Sequence, residues 1–500
     1  MTSLTSNLCV TIRASSKSFR LLSLLGSQPV LKMRLFRVSF FLRCAALCAV
    51  RDSSPTLHHF AFSSLRSFTY FLGQATSTLG KMNLRLISKD NNSTANPMYQ
   101  LSNDTEFHFE ILRVISLSPF EGADIGEVLV AANQINPGNF ESFYTAFNSL
   151  AIRVQTVANS INSTKHPISA RNALFKAASY YRSADFFLHG NWGDPRIYSL
   201  WDKQLAAFDA AMALLPVPGQ RINLRAKDGN FTIPAMFFGT GIPGPWPTIL
   251  MCNGYDGSQE EMFHLIGKAV LERGMNVITF EGPGQPTVRR EQNLGFIPQW
   301  ERVVTPVVDY ALTRSEVDSA AIGLMGYSLG GYLAPRAAAF EHRVAAVFAV
   351  DGVYDFGQSL QTNFPPQVVA IFKSGNATLF NYIIDKAVAD PSTSSALRWA
   401  VQQGMWSFDA KTPFEWMTKA QEYSLANLTQ DIKAPIFVGD AEDDQFFPGQ
   451  AKMLAQELGD RAIYHFFKAI DGAGEHASMG VSVLESQVLL DWFQDILCTE

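Results

Sequence analysis

From Pro247 onward, short and largely apolar runs alternate with longer helical stretches. The runs are "PTILMC", "MNVITF", "AAIGLM", "VAAVFAV", "APIFVG" and "AIYHFF". No other feature constrains the fold as strongly. A strand with one wet face alternates apolar and polar residues, because successive side chains point to opposite sides. Strands apolar throughout are buried on both faces, and the helices between them supply the cover. The sheet is therefore mainly parallel. In such sheets ligands bind beyond the carboxyl ends of the strands. Two more β-rich runs, "RINLRA" and "FTIPAMFF", precede the alternation.

Two stretches depart from the alternation. Residues 98–215 place apolar side chains at three- and four-residue spacing, as in "FESFYTAFNSLAIRVQTVANSI" and "ARNALFKAASYYRSADFFL", with breakers "NPGN", "NSTKHP" and "GNWGDPR" between them. They predict a helical cap over 98–218, ahead of a catalytic domain over 219–500. From about 351 to 430 the chain again turns helical and aromatic ("SALRWAVQQGMWSF", "PFEWMTKAQEYSL"). This predicts a lid insertion lying over the strand ends.

The first 97 residues stand apart. Up to Arg51 there are eight Lys/Arg and no acid, and up to Lys89 twelve against the single Asp52. Such an Arg- and Ser-rich leader reads as a targeting segment, a disordered leader, or sequence ahead of a true start at Met33 or Met82. The remainder carries 28 basic and 44 acidic residues, a balance that repels phosphate backbones and disfavours nucleic acid as a partner. Five scattered cysteines (Cys9, Cys44, Cys48, Cys252, Cys498) present neither zinc-ligand spacing nor a disulfide framework. They favour an intracellular, cytoplasmic setting.

The apolar run "AAIGLM" leads straight into "MGYSLGGYLAPR". Gly326-x-Ser328-x-Gly330 has the form of a nucleophile elbow, in which a strand ends, the chain turns sharply and a helix begins. A serine hydroxyl needs an imidazole to take its proton and a carboxylate to orient that imidazole. In the α/β-hydrolase fold the chain order is Ser, acid, His. Three of the nine histidines follow Ser328. His342 ends the elbow helix and His465 lies within a strand. His476 falls in the Gly-rich loop "DGAGEHASMG" after the last strand and is the candidate base. The acid belongs to "DAEDDQFFPGQ". Asp444, four residues before Pro448, is preferred to Asp443, and Asp440 and Glu442 read as solvated. An oxyanion hole requires the amide after the nucleophile, Leu329, and one from "CNGYDGSQEE", where Tyr255 or Asp256 donates.

Taken together, "NGYDGSQEEMF", "ERGMNVITFEGPGQ", "GLMGYSLGGYLAPRAAAFEHR", "DAEDDQFFPGQ" and "GAGEHASMG" resemble the fungal polyketide-processing α/β-hydrolases. That group includes the yellowish-green pigment heptaketide hydrolases and the fusarin-type hydrolases. More distantly the chain resembles the bacterial 2,6-dihydroxypseudooxynicotine hydrolase, which cleaves a carbon–carbon bond. The similarity runs from about Met98 to the C-terminus. It implies an α/β-hydrolase fold with a helical cap and lid, the triad Ser328–Asp444–His476, and no metal or cofactor. It also implies a substrate-binding role for Asp256, where the bacterial enzyme has a Glu. Pro286 replaces a small residue of the relatives. The expected substrate is a polyketide-derived intermediate, cleaved at a carbon–carbon, ester or thioester bond, or cyclised. A polyketide synthase is the expected functional partner, and a second copy of the chain, as a homodimer, a candidate one. A general carboxylesterase and a non-catalytic binding protein are the alternatives.

Overall fold

A computed structural model of the protein describes residues 97–499; nearly all of the basic leader lies outside the described residues. The eight β-rich runs are eight strands: β1 (Gln220–Arg225), β2 (Thr232–Phe238), β3 (Trp246–Cys252), β4 (Asn276–Phe280), β5 (Val317–Gly326), β6 (Ala346–Ala349), β7 (Ile436–Ala441) and β8 (Ala462–Phe467). They form one sheet in the order β1-β2-β4-β3-β5-β6-β7-β8. Only β1–β2 and β2–β4 pair antiparallel, and every other neighbour is parallel. β4 and β6 are buried at every residue, as their sequences require of strands covered on both faces.

Among the described residues, five α-helices precede the sheet: α1 (Thr105–Ser116), α2 (Ile125–Ala132), α3 (Phe140–Ser160), α4 (Pro167–Asp185) and α5 (Arg196–Met212). Asp104 caps α1 by accepting from the N–H groups of Glu106 and Phe107, two of the four donors that a helix start leaves without partners. α1 is enclosed on all sides, for even its Glu106, His108, Glu110 and Arg113 are buried. Phe107 packs at 5.2 Å from Phe143 of α3 and 5.0 Å from Phe187 just past α4. These rings tie the pre-sheet helices to one another through apolar contact, at about 1.5–3 kcal/mol for each buried large side chain.

In the sheet region the helices are α6 (Gln259–Met262), α7 (Lys268–Glu272), α8 (Pro286–Gln292), α9 (Glu301–Ala311) and α10 (Gly330–Ala338). Between β6 and β7 come α11 (Phe356–Thr362), α12 (Pro366–Lys373), α13 (Ala377–Ala389), α14 (Ser395–Ser407) and α15 (Pro413–Ala420). The chain closes with α16 (Gln450–Leu458) and α17 (Ser482–Thr499). Asp104, at the start of α1, accepts a 2.5 Å hydrogen bond from Ser395 of α14. No helix among the described residues is long and apolar enough to cross a membrane. Cys252 is buried and Cys498 exposed, both free.

Candidate active site

β5 delivers Ser328 to the carboxyl edge of the sheet. Ser328 adopts φ 59°, the left-handed conformation that a sharp strand-to-helix turn imposes and that a side chain ordinarily avoids. Gly326 makes the turn possible, since a Cβ there would lie 2.0 Å from the Gly330 carbonyl oxygen. The Ser328 hydroxyl stands 2.9 Å from Nε2 of His476. On the far side of the ring, Nδ1 lies 3.0 Å from Oδ2 of Asp444. With Nδ1 protonated, His476 donates to Asp444 and accepts from Ser328. The other oxygen of Asp444 accepts from the N–H groups of Phe446 and Phe447, at 2.8 and 3.0 Å. Burial pushes the Asp444 carboxyl up, but His476 and these amides outweigh it and hold it below its ordinary range.

The other acidic residues of that loop are engaged elsewhere. Asp440 accepts from the Tyr464 hydroxyl, and Glu442 from the N–H of Ala469. Asp443 is half-buried, with its N–H on the Gly474 carbonyl. His342 contacts the Ala339 carbonyl, and His465 stacks on Phe437.

A further carboxylate belongs to this group, and the sequence reading did not find it. Asp351, two residues past β6, is buried with φ 61°. Its Oδ1 accepts from the Ala477 N–H at 2.7 Å and its Oδ2 from the Ser328 N–H at 3.3 Å. Oδ1 also lies 3.6 Å from His476 Nδ1. Asp351 thereby ties the elbow to the histidine loop. Burial pushes its carboxyl up to about 7, against the pull of His476. Burial disfavours the His476 cation, yet Asp351 and Asp444 together outweigh that and hold the imidazole up at about 9. Among the described residues, Asp351, Asp444 and His476 are the only grouping of three metal-type donors. Their facing atoms are already committed to one another and to backbone amides.

The loop after β3 closes over the elbow. A Cβ on Gly254 would lie 2.6 Å from the Leu329 nitrogen and 2.9 Å from the Ser328 Cβ, so only glycine permits this approach. Among the described residues, the backbone N–H groups of Leu329 and Tyr255 have no hydrogen-bond acceptor. Helix α14 clamps the loop: Gln403 donates to the Tyr255 carbonyl at 3.0 Å, and the Tyr255 hydroxyl donates to the Ala400 carbonyl at 3.1 Å. Asp256 is not a free carboxylate. Its Oδ1 accepts from Arg113 of α1 at 2.7 Å and from Arg182 of α4 at 3.0 Å. Capping of α6 falls instead to Ser258, which accepts from the Glu261 N–H. Pro286 is the first residue of α8 and lines a smaller polar cavity with Asp256 and Arg290.

Ser328 and His476 open onto a cavity of about 740 Å³ of atom-free space, part of it open to solvent. Its walls are rich in aromatic rings, among them Phe109, Tyr255, Phe356, Trp399, Phe446 and Phe447. One section is charged, formed by Glu110, Arg113 and Asp256. An apolar cleft with a few convergent polar groups has the make-up of a small-molecule site.

The profile of the "Alpha/beta hydrolase family" matches residues 249–485. Hydrolase LUC6 of Fusarium sp is 30% identical over 415 residues, covering 80% of this chain and 98% of its own. Hydrolase acrC of Aspergillus aculeatus is 30% identical over 414 residues, covering 78% and 96%. The 20-hydroxy-prefusarin hydrolase FUS2 of Gibberella moniliformis is 28% identical over 404 residues, covering 77% and 95%. Among solved structures, the 2,6-dihydroxy-pseudo-oxynicotine hydrolase shares the fold, with a TM-score of 0.60 at 22% identity over 77% of this chain and 95% of that one. Sheet order, elbow and matched relatives agree: the chain is a hydrolase and belongs to the alpha/beta hydrolase family.

Proposed function

We propose that the protein is a serine hydrolase that cleaves a carbon–carbon or ester bond of a polyketide-derived chain. The observation that carries this reading is the hydrogen-bonded line Ser328–His476–Asp444 at the floor of an aromatic cavity. Ser328 attacks a carbonyl carbon while His476 takes its proton at Nε2. The oxyanion formed rests on the amides of Leu329 and Tyr255. Collapse breaks the bond to the leaving group, an enolate or an alkoxide, which takes the proton from His476. Water, deprotonated in turn by His476, releases the acyl group as an acid and restores the serine. No step calls for a cofactor. The aromatic rings in the walls suit a flat, conjugated acyl chain, and the relative FUS2 is named as a 20-hydroxy-prefusarin hydrolase.

A fluorophosphonate probe tests the chemistry directly. It should label the wild-type protein at Ser328 and leave Ser328→Ala unlabelled. Labelling of neither would point to a binding protein that keeps the fold without turnover.

Asp256 is assigned to the substrate side of the cavity, next to the oxyanion loop. A carbanion is harder to expel than an alkoxide, so a neighbouring polar group matters more for carbon–carbon cleavage than for ester hydrolysis. Asp256→Asn should reduce turnover of a 1,3-diketone by about 10²-fold and that of p-nitrophenyl butyrate far less. Equal losses on both would mean that Asp256 only fixes the loop through Arg113 and Arg182.

A further inference from the structure

The charged section of the cavity wall is the edge of a buried cluster joining α1, α4 and the segment from the oxyanion loop to α6. Two guanidiniums, Arg113 and Arg182, face three carboxyls, Glu110, Asp256 and Glu261. The distances say which carboxyls hold the charges. Glu261 takes Nε and Nη2 of Arg113, both at 2.7 Å. Asp256 takes Arg113 and Arg182 at 2.7 and 3.0 Å. Glu110 has only the remainder, Arg113 at 3.3 Å and Arg182 at 3.4 Å. Charge-assisted pairs close to about 2.7–2.9 Å, so the two cations are matched by Glu261 and Asp256. Glu110 is left as the third carboxyl, 2% exposed.

A buried carboxyl without a counter-charge of its own keeps its proton. Burial pushes Glu110 up to about 7; the two arginines oppose this, and the Asp256 and Glu261 charges reinforce it. Glu106, one turn earlier, adds no further negative charge. It too is buried, with Oε1 lacking any partner and its carboxyl held well above the ordinary range, chiefly by burial. Among the other cavity-lining groups, Arg113 commits its donors to carboxylates, Tyr255 to Ala400 and Tyr327 to Glu485, whereas the Trp399 indole N–H has no partner and is a second donor left in this wall.

We propose that Glu110 is a neutral carboxylic acid in the wall of the catalytic cavity, donating a hydrogen bond to a ketone or enol oxygen of the bound acyl chain. It thereby selects chains that carry such an oxygen. The proposal rests on the serine-hydrolase reading above and adds the functional group that the substrate presents.

The test compares two esters, 4-nitrophenyl octanoate and 4-nitrophenyl 3-oxooctanoate. The ratio of their kcat/KM values cancels the titration of His476, which both substrates need equally. In the wild type the 3-oxo ester should be preferred roughly tenfold, the usual consequence of a buried carbonyl gaining or lacking its donor. That preference should fade as pH rises through about 7. Glu110→Gln keeps a donor with no proton to lose, so its preference should persist and become independent of pH. Glu110→Ala should abolish it. A wild-type ratio that is flat with pH, or a preference intact in Glu110→Ala, overturns the proposal.

An infrared comparison decides the protonation without turnover. At neutral pH the carbonyl stretch of a protonated carboxylic acid should be weaker in Glu110→Gln than in wild type. A band unchanged in Glu110→Gln and lost only in Glu106→Gln refutes the assignment. If neither ester is turned over and Ser328 resists fluorophosphonate, the serine-hydrolase reading has failed, while the infrared result still decides Glu110.

Discussion

Replacing Ser328 by Ala, or His476 by Ala, should lower kcat by about 10⁶-fold each, and the double variant should lose almost nothing more. The reason is geometric. The hydroxyl and Nε2 are 2.9 Å apart, so acylation, the step that must come first, runs through the proton of that hydroxyl. Without Ser328 no acyl-enzyme forms for His476 to release, and without His476 the hydroxyl is a poor nucleophile near neutral pH. What survives is the stabilisation offered by the Leu329 and Tyr255 amides and by binding in the cavity, typically 10³–10⁴-fold over water. Turnover of a p-nitrophenyl ester by the three variants measures this. Losses that multiply in the double variant would mean that the two residues act separately, and would sink the shared mechanism.

The central strands were legible because they are almost wholly apolar, whereas β8, read from "AIYHFF" as covered on both faces, is an edge strand with Ile463, Tyr464 and Phe466 exposed. A run such as "VAAVFAV" has no polar face to expose, which leaves burial on both sides as the only arrangement. Less visible were the exact limits. β5 begins at Val317, earlier than its apolar run, with Ser319 and Ala320 exposed, because pairing with β3 continues past the covered part of the sheet. A single π turn at Phe263–Gly267, between α6 and α7, leaves no trace in the hydrophobic spacing.

At the site, Ser328, Asp444 and His476 could be read because the order of elements assigns each to the carboxyl end of a strand. Asp351 lies just past such a strand as well, directly after "VAAVFAV". In the sequence it passes for the first residue of the lid insertion. A positive φ turns it back toward the elbow, and nothing in the residue type announces that. The signal available was positional: an acid immediately after an apolar strand neighbouring the nucleophile strand. Arg113 and Arg182 were hidden for a different reason. Charged residues on amphipathic helices are ordinarily solvated, and only the enclosure of α1 by α4, α14 and the oxyanion loop turns them inward. That enclosure also changes the part played by Asp256, which meets two arginines before it meets any substrate.

Asp444→Asn should lower kcat by about 10⁴-fold, the usual effect of losing the carboxylate that sets the tautomer of a catalytic imidazole, whereas Asp351→Asn should lower it by only ten- to hundredfold. Asp444 holds the short contact to Nδ1, 3.0 Å against 3.6 Å for Asp351. Asparagine at 444 would turn either its amide nitrogen or a weaker acceptor toward Nδ1. Asp351 acts chiefly through the Ser328 and Ala477 amides, and asparagine can satisfy one of them. An N–H left unmatched in the interior costs about 1–3 kcal/mol, which gives the smaller loss. The pH profile separates the two residues further. His476 accepts a proton only when neutral, and its pKa is held up at about 9. The kcat/KM of the wild type should therefore climb from neutral to alkaline pH. Asp351→Asn removes one of the two charges that hold the imidazolium, so its rising limb should move to lower pH while its plateau falls. A lower plateau with an unmoved limb would reduce Asp351 to a backbone anchor. A near-wild-type Asp444→Asn beside a crippled Asp351→Asn would exchange their roles, making the carboxylate after β6 the one that orients His476.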